Sequence, residues 1–211
     1  MLSKARIVTS RIVLASRSPR RKEILERLGL AFEIDPPEID ETPRQGEYAV
    51  SYVQRIAAEK ADKVALRHEQ QCVIIAADTT VALDREILGQ PRDFEEARKM
   101  IQKLSKKSHS VHTAVSVRCD GRSANGFDTA SVLMREVTPE MLEWYLGTGE
   151  SMGKAGAYAV QGYGAALVAE VRGEMDTVIG LPVWLLAERL AHIGVNLREL
   201  CAPGNGFVLE K

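Results

Sequence analysis

The sequence predicts an α/β fold with a mixed β-sheet. Three observations carry this. Apolar runs of strand length alternate with helix-period patterns along the chain. The stretch Ser110 to Met134 holds two strand-like runs around Asp120-Gly121, a hairpin signal that brings antiparallel strands into the sheet. The chain has 211 residues, 45% of them hydrophobic, enough for a sizeable core, and shows no repeat, low-complexity tract or evident linker.

The elements follow in order. Ile12–Ala15 is the first strand. It breaks at Ser16 and Ser18, and a helix over Pro19–Leu28 begins with Ser18 as N-cap and Pro19 at its first position. Phe32–Ile34 is the next strand. Glu47–Arg67 reads as a helix, with Val53, Ile56, Ala57 and Val64 at helical spacing. Val73–Ala76 and Val81–Leu83 read as two short strands. Asp93 and Glu96 resemble a capping box before a helix over Glu95–Leu104. Ser110–Val117 and Phe127–Met134 form the antiparallel pair. Thr138-Pro139 opens a helix over Pro139–Leu146, and Ala166–Val171 is the last strand. Gly180-Leu181-Pro182 leads into a helix over Val183–His192, which Gly194 ends. The tail after Cys201 has no readable pattern.

Composition excludes several classes. With 28 basic and 29 acidic residues the net charge is -1, which gives no electrostatic footprint for nucleic acid. Cys72, Cys119 and Cys201 lie far apart, without metal-type spacing, and an odd count argues against a disulfide framework. The stretch Met1 to Arg11 is short and polar, and the apolar run after it is too short for a signal peptide. No stretch approaches the roughly 20 apolar residues of a membrane span. A soluble, cytoplasmic protein with no membrane partner is expected. Soluble enzymes are commonly homodimers, the assembly expected here.

Five segments carry chemistry. Arg20 and Arg21 fall in the first turn of the helix that Ser18 caps, where cations oppose the helix dipole and its free N–H groups. An anion at that terminus, held also by Ser16, removes the conflict. A solvated basic turn without a ligand is the other reading. Asp78 directly follows a buried run, at the carboxyl end of a strand. Open α/β sheets place catalytic groups there, although a turn-capping aspartate would look the same. It is suited to holding a divalent cation or taking a proton from water. Glu38, Asp40 and Glu41 form an acidic loop, suited to Mg²⁺ or simply solvated. Lys60 falls on the apolar stripe of its helix, so it either snorkels outward or points its ammonium into a pocket. In Lys154–Gly162, small residues permit close backbone approach and the Gln161 amide matches the edge of a base, or the segment is simply a packed turn of small residues.

Familiar alternatives fail. Gly149 to Ala155 resembles a phosphate-binding loop but has three intervening residues instead of four and no Ser/Thr after Lys154. His109 and His112 are three apart in a strand-like pattern, which points them to opposite faces and away from a shared metal.

Taken together, Leu14-Ala15-Ser16-Arg17-Ser18-Pro19-Arg20-Arg21, Asp40-Glu41, Glu59-Lys60-Ala61, Ala77-Asp78-Thr79, Pro91-Arg92-Asp93, Lys154-Ala155-Gly156-Ala157-Tyr158, Gln161-Gly162 and Gly180-Leu181-Pro182 resemble the Maf family of nucleoside triphosphate pyrophosphatases. The resemblance runs from about residue 11 to about residue 192. It implies one domain over 1–211 with two lobes. The implied fold is like that of the inosine-triphosphate pyrophosphatases, with an elongated mixed sheet and a cleft between the lobes. It implies hydrolysis of a nucleoside triphosphate to the monophosphate and pyrophosphate with a divalent cation, Mg²⁺ or Mn²⁺. By resemblance, Asp78 is the base and a metal partner, Glu41 helps hold the cation, and Ser16, Arg20, Arg21 and Lys60 bind the triphosphate. The family's selectivity positions read Arg21, Thr79 and Gln161, similar to the branch acting on dTTP and UTP. The 7-methyl-GTP branch typically has tryptophan, glutamine and glutamate there. A house-cleaning role on modified pyrimidine nucleotides is implied. The family's link to blocking septum formation leaves a regulatory nucleotide-binding module as the alternative. The chain departs from the pattern at Gln90, where lysine is usual, at Gly153 for a common aspartate, and at Met175 for a common tyrosine.

Overall fold

The computed structural model describes residues 11–68 and 72–201, and the structural statements below concern those residues. The polar start of the chain before Arg11 and the tail after Cys201 lie outside them. The architecture is a seven-stranded mixed sheet with helices on both faces. The order runs β2 (Glu33–Ile34), β1 (Arg11–Leu14), β3 (Cys72–Leu83), β5 (Ser108–Cys119), β6 (Arg122–Met134), β7 (Val168–Arg172), and β4 (Glu86–Leu88) pairs with β3. β1 lies parallel to β2 and β3; the other pairings are antiparallel.

One departure from the sequence reading matters for function. Val73–Ala76 and Val81–Leu83 are parts of one continuous strand, so Asp78 sits inside β3 and not at its carboxyl end. The cause is β5, which pairs with β3 without a break from Ile74 to Ala82. On the opposite edge of β3 the pairing is broken. β1 covers it only as far as Ile75, and β4 resumes at Val81. The carboxyl-end argument therefore holds for β1, beyond whose last residue the unpaired edge of β3 opens.

Side-chain alternation then divides the faces. Ile74 and Ala76 pack with Val13, Ala61 and Val64 beneath α2 (Ala49–Ala65). Val73, Ile75 and Ala77 pack on the other face with Ile24 and Leu25 of α1 (Pro19–Arg27) and Leu185 and Leu186 of α6 (Val183–His192). A further core joins Val81 and Leu83 to α3 (Phe94–Leu104) and α4 (Pro139–Gly147). β3, β5 and β6 run through both of these large cores.

The capping chemistry acts as read. The Ser18 hydroxyl accepts from Arg21 N, and Thr138 Oγ1 accepts from Met141 N at 3.3 Å. Asp93 caps α3 by accepting from Glu96 N at 2.8 Å, but Glu96 reaches back to Arg92 N instead of Asp93, so only half a capping box forms. β6 begins at Arg122 and not Phe127, because the hairpin keeps its register through Asn125 and Gly126. Five short elements had no sequence signal: β4, α5 (Met175–Ile179), α7 (Leu197–Leu200) and two 3-10 turns at Ala155–Ala157 and Gly162–Leu167. The second turn takes up Ala166, so the last strand starts at Val168.

Candidate active site

The unpaired edge of β3 opens into a cavity of about 590 Å³. Ser16, Arg20, Arg21, Glu41, Lys60, Asp78 and Thr79 all line it, with Arg17, Gln90 and Lys154. Of the selectivity residues expected from sequence, Gln161 does not line it. It lies exposed at the start of the turn Gly162–Leu167, one residue beyond Val160, which does. Of the acidic loop only Glu41 faces inward. Glu38 pairs with Arg17 in solvent, and Asp40 accepts from Thr42 N. Five basic side chains against two carboxylates make the cavity a site for a polyanion.

Alternation along β3 sends Asp78 and Thr79 to opposite faces of the sheet. Asp78 meets α2. There Lys60 does not snorkel: its ammonium is buried and lies 2.8 Å from Asp78 Oδ1 and 2.9 Å from Glu41 Oε1. Asp78 Oδ2 has no protein partner among the described residues. Burial raises the Asp78 pKa above the ordinary aspartate value, against the pull of Lys60 and Arg21.

Thr79 meets α1. Arg21 is buried there, with Nε donating to the Gly180 carbonyl at 2.9 Å, Nη1 to Ser16 Oγ at 3.1 Å and Nη2 to Thr79 Oγ1 at 3.1 Å. Ser16 Oγ also accepts from Ser18 N at 3.1 Å. With two bonds accepted, its proton is left to donate into the cavity, as an anion requires. Gly180 has φ of +124°, and a Cβ there would stand 3.2 Å from Thr79 Oγ1, so both backbone and space call for glycine. Burial lowers the pKa of Arg21, opposed by Asp78. Arg20 makes no hydrogen bond or ion pair among the described residues. Burial lowers its pKa too, as it does that of Lys154, which the Arg20 charge also lowers.

The far wall is the segment around Gly156, whose φ is +68° and whose missing Cβ makes room for Val81. Tyr158 closes it: its hydroxyl lies 2.6 Å from Nε2 of His109 on β5, and burial depresses that imidazole to about 4. Sequence reasoning missed Thr113, Thr177 and the Gly180 carbonyl as supports of Arg21. A threonine inside the buried run of β5 was the one available signal.

The described residues contain no group of three His, Cys, Asp or Glu able to hold a metal ion. Glu41 and Asp78 nonetheless each place one oxygen within hydrogen-bond reach of the Lys60 ammonium, so the two carboxylates lie close together at the cavity wall. Two neighbouring carboxylates suit Mg²⁺, which keeps several waters and takes phosphate oxygens.

Known proteins are similar over nearly the whole chain. The sequence model of the Maf-like protein family matches residues 11–193. The chain is 47% identical over 192 residues to the dTTP/UTP pyrophosphatase of Anaeromyxobacter dehalogenans strain 2CP-1, covering 89% of this chain and 96% of that one. It is 46% identical to that of Myxococcus xanthus, covering 88% and 94%, and 43% identical to that of Clostridioides difficile, covering 88% and 97%. A solved structure titled nucleoside-triphosphatase / dITP/XTP pyrophosphatase, from Mycobacterium abscessus, is similar at a TM-score of 0.45 and 15% identity, covering 87% of this chain and 94% of that one. The motifs around the cavity and the match over residues 11–193 agree, and the chain belongs to the Maf family.

Proposed function

We propose that this chain is a hydrolase that cleaves dTTP and UTP to the nucleoside monophosphate and pyrophosphate. The observation that carries the reading is one cavity lined by Ser16, Arg20 and Arg21 at a helix start and by a buried carboxylate, Asp78. The relatives' names give the substrate.

Water adds across the phosphoanhydride bond between the α- and β-phosphates, that bond breaks, and pyrophosphate leaves. Asp78 takes the proton of the attacking water. Lys60 holds Oδ1, which leaves Oδ2 for the water. The Ser16 hydroxyl, Arg20, Arg21 and Lys60 bind the triphosphate, with Lys154 facing them across the cavity. Glu41 and Asp78 would hold a divalent cation, Mg²⁺ or Mn²⁺, which would offset charge on the phosphoryl oxygens. Arg21 and Thr79 act at the selective end, and Gln161, next in the chain to the lining residue Val160, reads the base. Gln90 leaves the wall one positive charge short of the family pattern.

Among the described residues no helix is long and apolar enough to cross a membrane. The free thiols of Cys119 and Cys201 support a reducing, cytoplasmic setting.

The test is pyrophosphate release with Mg²⁺ or Mn²⁺ from dTTP, UTP, CTP, dATP, GTP and 7-methyl-GTP. Release from dTTP and UTP is expected, and Asp78→Asn should lower kcat by about 10²–10⁴-fold. Turnover that survives in Asp78→Asn removes Asp78 as the base. Binding without release from any nucleotide turns the reading into a regulatory module.

A further inference from the structure

Thr113 lies in β5 with no solvent exposure, and its hydroxyl is 2.6 Å from the carbonyl of Thr177, which only accepts. A threonine hydroxyl has one proton. Thr113 gives it to that carbonyl and so meets Thr79 Oγ1, 2.9 Å away, as an acceptor. The Thr79 proton therefore goes to Thr113. Arg21 Nη2 donates to Thr79 Oγ1 and uses one of its lone pairs. What Thr79 offers the cavity is one lone pair and no proton. The bonds run in one direction, from Arg21 through Thr79 and Thr113 to Thr177. Their far end is fixed because the Thr177 hydroxyl donates to Asp128 on β6. The Ser16 hydroxyl, on the other side of the same guanidinium, has the opposite polarity, with both lone pairs filled and its proton free.

We infer that Thr113 is a positioning residue for substrate selection: by taking the Thr79 proton it makes Thr79 an acceptor only, so the substrate group that faces Thr79 must be a donor. The inference rests on the dTTP/UTP reading, under which that donor is the imide N3–H common to thymine and uracil. Cytosine carries a bare N3 at the same place and sets lone pair against lone pair. Discrimination of this kind comes from a buried polar group left unpaired by the wrong ligand. In UTP a ribose hydroxyl is the other donor that could face Thr79.

The experiment compares kcat/KM for UTP, CTP and 3′-deoxy-UTP in wild-type protein, Thr113→Val and Thr113→Ser. Valine keeps the branched shape but accepts nothing, which frees the Thr79 proton to turn toward cytosine. The UTP-to-CTP ratio should fall about tenfold in Thr113→Val, as the loss of one hydrogen bond's discrimination implies, and return in Thr113→Ser. The UTP-to-3′-deoxy-UTP ratio should not move. An unchanged UTP-to-CTP ratio in folded Thr113→Val overturns the inference. So does a change confined to the 3′-deoxy arm, which puts the ribose against Thr79. If Thr113→Val does not fold, Thr79→Val against Thr79→Ser decides: valine must lose the ratio and serine keep it, and equal ratios overturn the inference. Wild-type protein that releases pyrophosphate from neither dTTP nor UTP overturns the underlying reading, and this inference with it.

Discussion

At the scale of single residues, Asp78 combines two demands that oppose each other. Burial favours its neutral form, and Lys60 and Arg21 favour the charge that a base needs. Burial is the larger effect, so the folded-state pKa lies above the ordinary aspartate value. Activity should rise with pH as Asp78 ionises, and the acid limb of kcat/KM should titrate above about 3.9, the unperturbed aspartate value. The sign for stability is the reverse. A carboxyl whose folded pKa is raised stabilises the fold fully below the unfolded pKa and loses that contribution as pH rises through the folded pKa. At pH 7 ionised Asp78 is thus a cost, and thermal melts of Asp78→Asn at pH 7 should give a Tm no lower than wild type. A lower Tm would mean that the Lys60 and Arg21 charges outweigh burial.

At the scale of elements, α2 matters because it delivers Lys60, and the loop before it because it delivers Glu41. The helix has no side-chain N-cap; Tyr48 stands at that position. Loop and helix are joined instead by Arg55 and Glu47. Their two bonds are both 2.7 Å long, with the side chains only 13% and 9% exposed, and Arg55 also reaches the Thr42 carbonyl. The Arg55 guanidinium holds the Glu47 carboxyl at about 2. A depressed carboxyl stabilises the fold above its unfolded pKa, about 4.3, and loses that contribution as pH falls through about 2. Glu47→Gln should therefore cost about 2 kcal/mol at pH 7, a difference that shrinks as pH falls toward 2 in parallel denaturation curves. Because the pair anchors the loop that carries Glu41, the same variant should also raise the divalent-cation concentration that gives half-maximal pyrophosphate release.

At the scale of the whole molecule, the cavity lies between two cores that share strands. Val73, Ile75 and Ala77 of β3 belong to one core, and Val81 and Leu83 to the other. β5 and β6 divide likewise, with Val115 and Ala124 on one side and Val111 and Ala130 on the other. Among the described residues the two cores share these strands, so neither opens without breaking strands of the other. Calorimetry should show one transition with calorimetric and van't Hoff enthalpies in agreement. Two resolved transitions would mean that the two cores fold independently.

The sequence by itself determined the local chemistry. Ser18 and Pro19 start α1, Thr138 and Pro139 start α4, and the apolar stripe of α2 carries Lys60, because caps and periodicity act over a few residues. It also marked Ser16, Arg20, Arg21, Glu41, Lys60 and Asp78, whose types are costly to place on an element without a partner. Only the tertiary structure decided where they point. β3 is continuous because β5 pairs along all of it, and Asp78 faces a cavity because β1 stops short and β4 resumes late. Lys60 turns inward because two carboxylates, distant in sequence, meet there. The polarity of Thr79 depends on Thr113 and the Thr177 carbonyl, 34 residues away in one case and met through another strand. A hydrogen bond is a property of two groups, and the chain states only one of them at a time.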